Sequence, residues 1–399
     1  MLHYDLIIVG GGLVGASLAV ALRQTGLRIA LIDAKLTSSD DPRLFALNSS
    51  SCQFLENLKI WPSLAAHAAP IHQVHVSNHG HFGVVRLRRE DVNLPALGHV
   101  VPACIIEAAL NEELMALPNF TLYRPAKLKT LCQKNNNVQL IIATANGEKI
   151  LQSPIVFGAD GPDSTVREQL NIHTEIFDYE QSAIVVRTTL KRSHEHIAYE
   201  RFNVDGAIAM LPLTGNECAT IWTANTKAQS QLMELSDEIF LQKLQHEFGY
   251  RLGRLQLTSK RHIFPLRMVR AKKIVDQGVF LLGNSAHTLH PIAAQGFNLA
   301  LYKVAMLAES MMEKISKNEV FTASHLQEIS VQIQKQQATS IGISHRLSAL
   351  FSSHSFLPSI ALQLGMISLN VTTPIKKRFI ERMLGKTGCV PRLLLSQMI

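Results

Sequence analysis

The chain has 399 residues, a length that allows two or three domains at roughly 150 residues each. Hydrophobic residues make up 47% and charged residues 18%, which excludes disordered, collagen-like and low-complexity classes. The net charge of +8 resides mostly in residues 340–399. No nucleic-acid motif accompanies this basic tail, so it favours an anionic lipid surface or an acidic partner over nucleic acid.

The cysteines and the N-terminus bear on the compartment. The five cysteines are an odd number and stand at least 28 positions apart, so we expect neither a disulfide framework nor a CxxC metal site. An acid, Asp5, stands where a secretory signal carries positive charge, so we expect no export signal. These observations predict a reducing compartment.

The first 33 residues predict a strand, a glycine-rich turn, a helix and a second strand. Residues 6–9 are continuously apolar, as in a strand buried on both faces. Gly10, Gly12 and Gly15 then fit the pattern G-x-G-x-x-G, in which the glycines permit a tight turn, close approach of a pyrophosphate and helix–strand packing. Asp33 ends the next strand, where a carboxylate can hold a ribose hydroxyl. The unit predicts a dinucleotide site and leaves FAD and NAD as alternatives.

The middle of the chain is rich in predicted β-structure. Residues 104–117 have helical spacing, and residues 120–157 alternate as an antiparallel meander. A second β-rich block covers about residues 179–269, with one predicted helix at 237–248. A buried strand follows at 278–283, and the pattern is mainly helical from residue 295 onward.

Two further segments carry chemistry. Asp160 and Gly161 follow a predicted buried strand and precede a helix, although a simple turn would explain them equally well. Residues 283–300 form a strand end, a polar loop and the start of a helix, whose unpaired N–H groups suit a ligand that gains negative charge. His75, His79 and His81 alternate without carboxylate or cysteine partners, so we predict no metal site.

In this order, the three segments resemble the pattern of the aromatic-ring flavoprotein monooxygenases, from Ile7 to about Leu307. Within that family the chain is most similar to the ubiquinone-biosynthesis hydroxylases that act on 2-polyprenyl-6-methoxyphenol. The segments that carry this similarity are residues 41–47, 75–81, 249–253 and 284–298.

The resemblance implies FAD as bound cofactor and NADPH or NADH as transient donor. Gly10, Gly12 and Gly15, with Leu13 and Val14 between them, would bind the pyrophosphate, and Asp33 the ribose. Arg43 would contact the flavin phosphate or ring edge. The resemblance further implies that Asp160 and Gly161 lie near the pyrophosphate. Asn284 and Pro291 would contact the ribityl chain and the flavin ring. The residues that would present backbone and amide groups to the flavin are Gly296, Phe297 and Asn298. Asn284 stands where most of the wider family has Asp, and Asp33 stands where Glu is more usual. Neither substitution argues against FAD binding.

The fold class that follows is α/β. We predict a Rossmann-like FAD-binding domain interleaved with a β-sheet substrate domain and followed by a helical C-terminal region. The predicted segments are 1–75, 101–175 and 271–340 for the FAD-binding domain, 76–100 and 176–270 for the substrate domain, and 341–399 for the helical basic region.

The implied reaction is a ring hydroxylation of a polyprenylated phenol with O2, giving the corresponding 1,4-benzoquinol. A sister hydroxylase with another regiospecificity and a flavin-dependent reductase of prenyl substrates are alternatives. A non-catalytic scaffold is least favoured because the three motifs are present. The residues do not identify a catalytic group.

The composition of the C-terminal tail bears on the cellular location of such an enzyme. Residues 347–375 are uncharged but interrupted by polar residues, so we reject a transmembrane helix. An apolar helix followed by a basic cluster suits the surface of the inner membrane or a complex with other enzymes of the pathway. We therefore expect a cytoplasmic protein, with peripheral membrane attachment left open.

Overall fold

The computed structural model describes residues 1–36, 41–134, 136–203, 206–288, 295–335 and 356–396, without the side chains of 356–362 and 364. The described residues form four sheets with helices packed around them. Pro291 and His290 lie outside the described residues.

The central sheet begins with the first apolar run. Its strands, in spatial order, are β20 (Val275–Asp276), β21 (Val279–Leu281), β13 (Val156–Gly158), β2 (Leu6–Val9), β3 (Ile29–Ile32) and β9 (Phe120–Tyr123). All neighbours pair in parallel except β20, which is antiparallel to β21. Every residue of β2, β3, β13 and β21 is buried, which explains why these strands read as unbroken apolar runs.

Helices and a second sheet enclose this core. The helices that pack here are α1 (Leu13–Ala21), α4 (Ala103–Met115) and α8 (Gln295–Ser316). Of the meander predicted over residues 120–157, β10 (Ala126–Lys134), β11 (Asn137–Thr144) and β12 (Gly147–Ser153) form a separate antiparallel sheet, to which β1 (Leu2–His3) adds in parallel. The two ends of the predicted meander, residues 120–123 and 156–157, belong instead to the parallel central sheet. Gly147 follows the turn between β11 and β12 with a φ of +98°, a conformation that favours glycine.

A long sheet of eight strands lines the same cavity as the loops that follow the central strands. Its strands, in spatial order, are β18 (Leu255–Leu257), β14 (Thr174–Leu190), β17 (Glu217–Asn225), β16 (Gly206–Pro212), β15 (Ile197–Asn203), β6 (Gln73–Asn78) and β7 (Val84–Arg88), with β19 (His262–Ala271) also paired to β14. Strand β6 runs parallel to β15 although more than a hundred residues separate them. This pairing joins two distant parts of the chain into one sheet.

The sequence predicts one helix in this block, and the structure has two. Helix α7 (Asp237–Phe248) has the predicted bounds, but α6 (Thr226–Glu234) precedes it. The side chain of Asn225 accepts a hydrogen bond from the N–H of Ala228 at 2.8 Å and so caps α6. The helix was missed because few of its residues are apolar, and only Gln229 and Leu232 are buried.

Smaller elements complete the frame. They are β4 (Leu44–Asn48), β5 (Ala69–Ile71) and β8 (Gly98–Pro102) in one sheet, and the helices α2 (Ser49–Asn57), α3 (Trp61–Ala65) and α5 (Thr165–Gln169). Residues 323–335 form a further helix, α9. Short 3₁₀ turns cover Arg89–Val92, Gly283–Ser285 and Arg392–Leu394.

The C-terminal helices dock on the long sheet. They are α10 (Phe356–Val371) and α11 (Thr373–Met383). Gly83 donates its N–H to Oε1 of Gln363 at 2.6 Å, and Nζ of Lys376 lies 2.9 Å from Oδ2 of Asp91. Both Gln363 and Lys376 are buried, so these polar contacts attach the helices to β7 and the turn after it. Among the described residues, every helix is too short or too polar to traverse a bilayer.

Candidate active site

Three loops from distant parts of the chain meet where β2, β13 and β21 end. The N–H of Ala159 donates to the carbonyl of Val9 at 2.7 Å, which joins the second loop to the glycine turn. The Ser285 hydroxyl donates to the carbonyl of Gly158 at 2.5 Å, which joins the third loop to the second. Arg167 also bridges the last two loops, since Nη1 donates to the carbonyl of Ser285 at 2.9 Å and Nη2 to that of Pro162 at 2.6 Å. Parallel strands bring their carboxyl ends to one edge, which is where α/β proteins bind ligands.

The three glycines of the first loop have different structural requirements. Gly10 has a φ of +107°, and a Cβ there would lie 2.3 Å from the carbonyl oxygen of Ala159. A Cβ on Gly15 would lie 2.0 Å from the carbonyl oxygen of Gly10, so helix α1 packs onto the turn only with glycine. A Cβ on Gly12 would meet nothing within 4 Å, and Gly12 lines a cavity. Gly10 and Gly15 therefore serve the fold, whereas Gly12 keeps open the space in front of α1.

The N-terminus of α1 faces that space. The helix has no side-chain cap and no acid in its first turn, and Leu13 and Val14 line the cavity with Gly12. Unpaired N–H groups and the positive end of the helix dipole favour a phosphate at this place.

Asp33 has a partner that its sequence context did not reveal. Oδ2 of Asp33 lies 2.9 Å from Nη2 of Arg124, and the two side chains are 17% and 8% exposed. Arg124 also donates to Asn111 Oδ1 at 2.8 Å and to the carbonyl of Gly11 at 3.3 Å. Arg124 therefore orients the predicted ribose-binding carboxylate and ties it to the glycine turn.

Arg43 lies on the cavity wall in an ion pair. Nε lies 2.9 Å from both carboxylate oxygens of Asp41, and the guanidinium carbon lies 5.8 Å from the ring centre of Phe45. Burial raises the pKa of Asp41, but the hydrogen bonds from Arg43 outweigh it, so the pKa is lowered overall. The pair leaves about half of the Arg43 side chain exposed toward a ligand.

Asp160 uses its carboxylate within its own loop. Oδ1 accepts a hydrogen bond from the Ser164 hydroxyl at 2.6 Å, and Oδ2 accepts one from the N–H of Val166 at 3.0 Å. These bonds hold the start of α5. Gly161 has a φ of +92° and lines the cavity, and a Cβ there would meet nothing within 4 Å, so the backbone of this loop is what a ligand would meet.

The third loop and the start of α8 form the opposite wall. Asn284 is exposed to the cavity, and no described group bonds its amide. Gly296 opens α8 with nothing within 4 Å of its missing Cβ. Asn298 Oδ1 accepts from the N–H of Asn48, and Nδ2 donates to the carbonyl of Ala46, both at 2.9 Å. The amide of Asn298 thus anchors β4, while Phe297 stacks on Phe45 with ring centres 4.6 Å apart.

A buried cationic pair lies next to this loop. Nζ of Lys303, whose residue is fully buried, donates to Nδ1 of His287 at 2.9 Å. Burial lowers the pKa of Lys303 to about 7 and, together with Lys303, holds the pKa of His287 well below its ordinary value. His287 lies one residue away from the described end of this loop, Thr288, so the pair supports that end.

One cavity of about 2060 Å³ connects these features with the long sheet. This exceeds the roughly 300–1,000 Å³ of a pocket for one drug-sized ligand. Its polar part includes the three loops and Arg43, together with further charged residues such as Glu107, Glu200 and Arg267. The apolar remainder comes from the long sheet and the C-terminal helices: Val74, Val76, Ala198, Ala207, Ala209, Leu211, Met366, Leu369, Ile380 and Leu384. The cavity therefore has room for a dinucleotide and a second, largely apolar molecule.

Sequence reasoning missed several residues of this site. Arg124 and Glu200 stand in no motif, and the sequence predicts only that the C-terminal helices contact lipid or a partner protein. The tail does keep an exposed face, but Met366 and Ile380 are buried against the long sheet. The spacing of residues along the sequence does not predict contacts between such distant segments.

The residues present fit FAD. An open space at Gly12, an uncapped helix start and an anchored carboxylate suit the pyrophosphate and ribose of a dinucleotide. Gly296 and Asn284 leave backbone and amide groups available along the same cavity. These are donors and acceptors that the polar edge of a flavin requires.

Comparison with known proteins agrees with this geometry. The family described as FAD binding domain matches residues 3–320. The ubiquinone hydroxylase UbiL of Rhodospirillum rubrum is 30% identical over 98% of this chain and 92% of its own length. The 3-demethoxyubiquinol 3-hydroxylase of Escherichia coli is 27% identical over 80% of this chain and 82% of its own length. The p-nitrophenol 4-monooxygenase PnpA of Pseudomonas putida DLL-E4 shares the fold, with a TM-score of 0.81, 15% identity and coverage of 97% of this chain and 100% of that one. The chain therefore belongs to the FAD-binding-domain family, and it is a flavoprotein monooxygenase with FAD as its cofactor.

Proposed function

We propose that this chain hydroxylates the aromatic ring of a polyprenylated phenol in ubiquinone biosynthesis, and that its substrate is 2-polyprenyl-6-methoxyphenol, converted to the corresponding 1,4-benzoquinol. The observation that carries the proposal is the cavity that runs from the glycine turn into an apolar chamber. Such a chamber fits a prenyl chain better than a small polar substrate. The ubiquinone hydroxylase relative supports the substrate class.

In this proposal, the described residues have the following roles in binding the cofactor and the substrate. The N–H groups at the start of α1 bind the pyrophosphate, Asp33 held by Arg124 binds the ribose, and Asn284 and the start of α8 hold the flavin. When bound, FAD accepts a hydride from NAD(P)H and supplies one oxygen atom of O2 to the ring. The apolar side chains of β16 and α10 exclude water from the reacting atoms.

We propose that the nicotinamide donor binds only transiently. The sequence has no second G-x-G-x-x-G, so a separate Rossmann domain for NADPH or NADH is not expected. The donor would reach the flavin along the cavity edge near Gly161 and Arg43.

We also propose that the tail places this enzyme on the membrane surface. Ile367, Val371 and Ile375 are 38%, 73% and 55% exposed at four-residue intervals across α10 and α11, with Lys377 and Arg378 beside them. Exposed apolar residues flanked by cations suit an anionic bilayer, where a prenylated substrate resides. Flotation with anionic vesicles, comparing the wild type with a Val371→Glu, Ile375→Glu variant, tests this. These changes leave the cavity wall intact, which a truncation of the tail would not, and unchanged flotation would contradict the membrane role.

The reaction is tested by anaerobic reduction. NADPH is mixed with the flavin-loaded enzyme without oxygen, with and without a short-chain 2-prenyl-6-methoxyphenol, and bleaching of the flavin is followed. We expect the phenol to accelerate bleaching, and a product 16 mass units heavier to form when oxygen is admitted. NADPH consumption with no oxygen incorporated would contradict the proposal.

The alternative function is hydroxylation of another ring position by an enzyme of the same pathway. One specific observation favours it, namely the similarity to a 3-demethoxyubiquinol 3-hydroxylase. That relative's name differs from our proposal in substrate and ring position. The hydroxylated carbon in the isolated product, determined by NMR, distinguishes the two.

A further inference from the structure

The long sheet places one carboxyl group inside the apolar chamber. Glu200 of β15 lies opposite Val76 of β6 and Ala209 of β16. This row of the sheet continues outward on both sides, and all its members line the cavity: Val85, Val76, Glu200, Ala209 and Ile221. Because side chains alternate along a strand, the side chains of the next residues point to the other face: the ring of Tyr199, a residue that also borders the cavity, packs on Phe248, and Arg201 donates to the carbonyl of Glu247.

The Glu200 carboxyl has no partner among the described residues. No described group donates a hydrogen bond to it, and no described cation pairs with it. The titratable residue next to it on β6, His75, bonds Arg251 on the opposite face. On β16 and the tail helices, the neighbouring cavity residues are apolar, namely Ala207, Leu211, Met366 and Leu369. Other parts of the cavity are lined by basic residues that make no described ion pair with Glu200, namely Lys35, Arg43, Lys127, Arg167 and Arg267.

An unpaired carboxyl in such surroundings is costly to the fold. Burial alone raises the pKa of Glu200 to about 7, because the charged form loses its hydration and gains no partner. Glu200 is partly exposed to the cavity, and a titratable group inside a cleft without a described protein partner is a candidate for chemistry. A ligand that brings a hydroxyl group into the chamber would supply the missing partner.

A phenol is a ligand of that kind. Its hydroxyl titrates near ~10 in water, and removing the proton raises the electron density of the ring carbons that receive oxygen. An acceptor is most effective when its own pKa lies near the working pH. The sequence alone offered no group for this step.

We propose that Glu200 is a catalytic residue that binds the phenolic hydroxyl of the substrate and takes its proton. This inference rests on the proposed function, since it requires a phenol in the chamber. The phenolic O–H bond breaks, its electron pair stays on oxygen, and the proton moves to a carboxylate oxygen of Glu200. After oxygen transfer, the ring carbon that gained oxygen loses its hydrogen as a proton to water, the electron pair of that C–H bond returns to the aromatic ring, and Glu200 returns its own proton to the phenolic oxygen. The carboxylate is thereby regenerated for the next turnover.

The decisive experiment follows the bound phenol by ultraviolet difference spectroscopy against pH, with no reductant present. The flavin-loaded wild type, Glu200→Gln and the control Glu217→Gln are each mixed with 2-prenyl-6-methoxyphenol or with its methyl ether. Glu217 lies on β17 of the same sheet but does not line the cavity. Glutamine is nearly isosteric with glutamate and removes an unpaired charge, so we expect both variants to fold and retain flavin.

In the wild type and the control, we expect a phenolate signal well below pH 10 and tighter binding of the phenol than of its methyl ether. In Glu200→Gln, we expect the bound phenol to stay neutral past pH 9 and the two ligands to bind alike. In turnover, we expect kcat to fall by about 10²–10⁴ and the limb of the pH profile near 7 to disappear.

The outcomes separate this inference from the proposed function. If the wild type inserts oxygen and Glu200→Gln keeps both the phenolate signal and the pH limb, Glu200 is not the acceptor and the hydroxylase proposal stands. If the wild type transfers no oxygen, the hydroxylase proposal fails. The spectral comparison requires no turnover, so it decides the role of Glu200 in either case.

Discussion

Replacing Gly12 with serine should separate cofactor binding from folding. Gly12 has φ −68° and ψ −176°, a conformation open to any residue, and a Cβ there meets nothing within 4 Å. Gly12 is also the N-cap of α1, a position where serine is at least as favourable as glycine. We therefore expect the free energy of unfolding of the flavin-free chain to change by no more than about 0.5 kcal/mol.

The same substitution should weaken FAD binding strongly. The hydroxymethyl group would occupy the space in front of Leu13 and Val14, where the pyrophosphate approaches. Losing one charge-assisted hydrogen bond costs about 1.5–3 kcal/mol, which corresponds to a roughly 10- to 100-fold rise in Kd. The matched control is Gly15→Ser, whose Cβ would lie 2.0 Å from the carbonyl oxygen of Gly10. That variant should unfold more easily by about 1–3 kcal/mol because helix and turn must separate.

Two measurements check these values. The Kd for FAD comes from quenching of flavin fluorescence on titration of the flavin-free protein, and stability comes from its urea unfolding curve. A Gly12→Ser variant that binds FAD within twofold of the wild type would refute the assignment of this glycine to the cofactor. A Gly15→Ser variant as stable as the wild type would refute the packing argument.

Three further predictions concern buried charges. Arg124→Met leaves the carboxylate of Asp33 uncompensated, so the free energy of unfolding should fall by about 3 kcal/mol, and adding Asp33→Asn should restore part of the urea midpoint. Lys376→Met breaks the ion pair with Asp91, so trypsin should cut within α11 sooner; an unchanged cleavage rate would argue against this anchor. Burial lowers the pKa of Lys303 to about 7, against 10.5 when unfolded, so the folded wild type binds fewer protons between these values and gains stability as pH rises. Lys303→Met should therefore be more stable at pH 7, by a margin that shrinks toward pH 10; a constant margin in urea midpoints would contradict this.

The glycine turn was predictable because its requirements are local. Gly10 has a positive φ and Gly15 packs on the carbonyl of Gly10, five residues before it, so the spacing of the two glycines carries the information. The close approach of Gly10 to Ala159, by contrast, joins distant parts of the chain. The α/β class and the three loops at one sheet edge followed from the same local patterns. Asp33 was predictable in position, but its partner Arg124 lies on a different strand end with no motif of its own.

Other side chains have uses that a motif does not report. Asp160 and Asn298 stand in the segments shared with the flavoprotein monooxygenases, yet their polar atoms bond the start of α5 and the backbone of β4. The C-terminal helices were expected at a membrane or protein surface. One face of them closes the apolar chamber, because Lys376 and Gln363 bond residues near β7.

The sequence by itself determined the strand–turn–helix unit, the order of the three cofactor segments and the family resemblance, because each depends on residues close together in the chain. Only the tertiary structure decided that β6 pairs with β15, that the tail lines the cavity and that Glu200 faces an apolar chamber without a partner among the described residues. These features depend on sheet register and on packing between distant segments. A one-residue shift in register would turn Glu200 to the opposite face of the sheet, and no local pattern specifies that register.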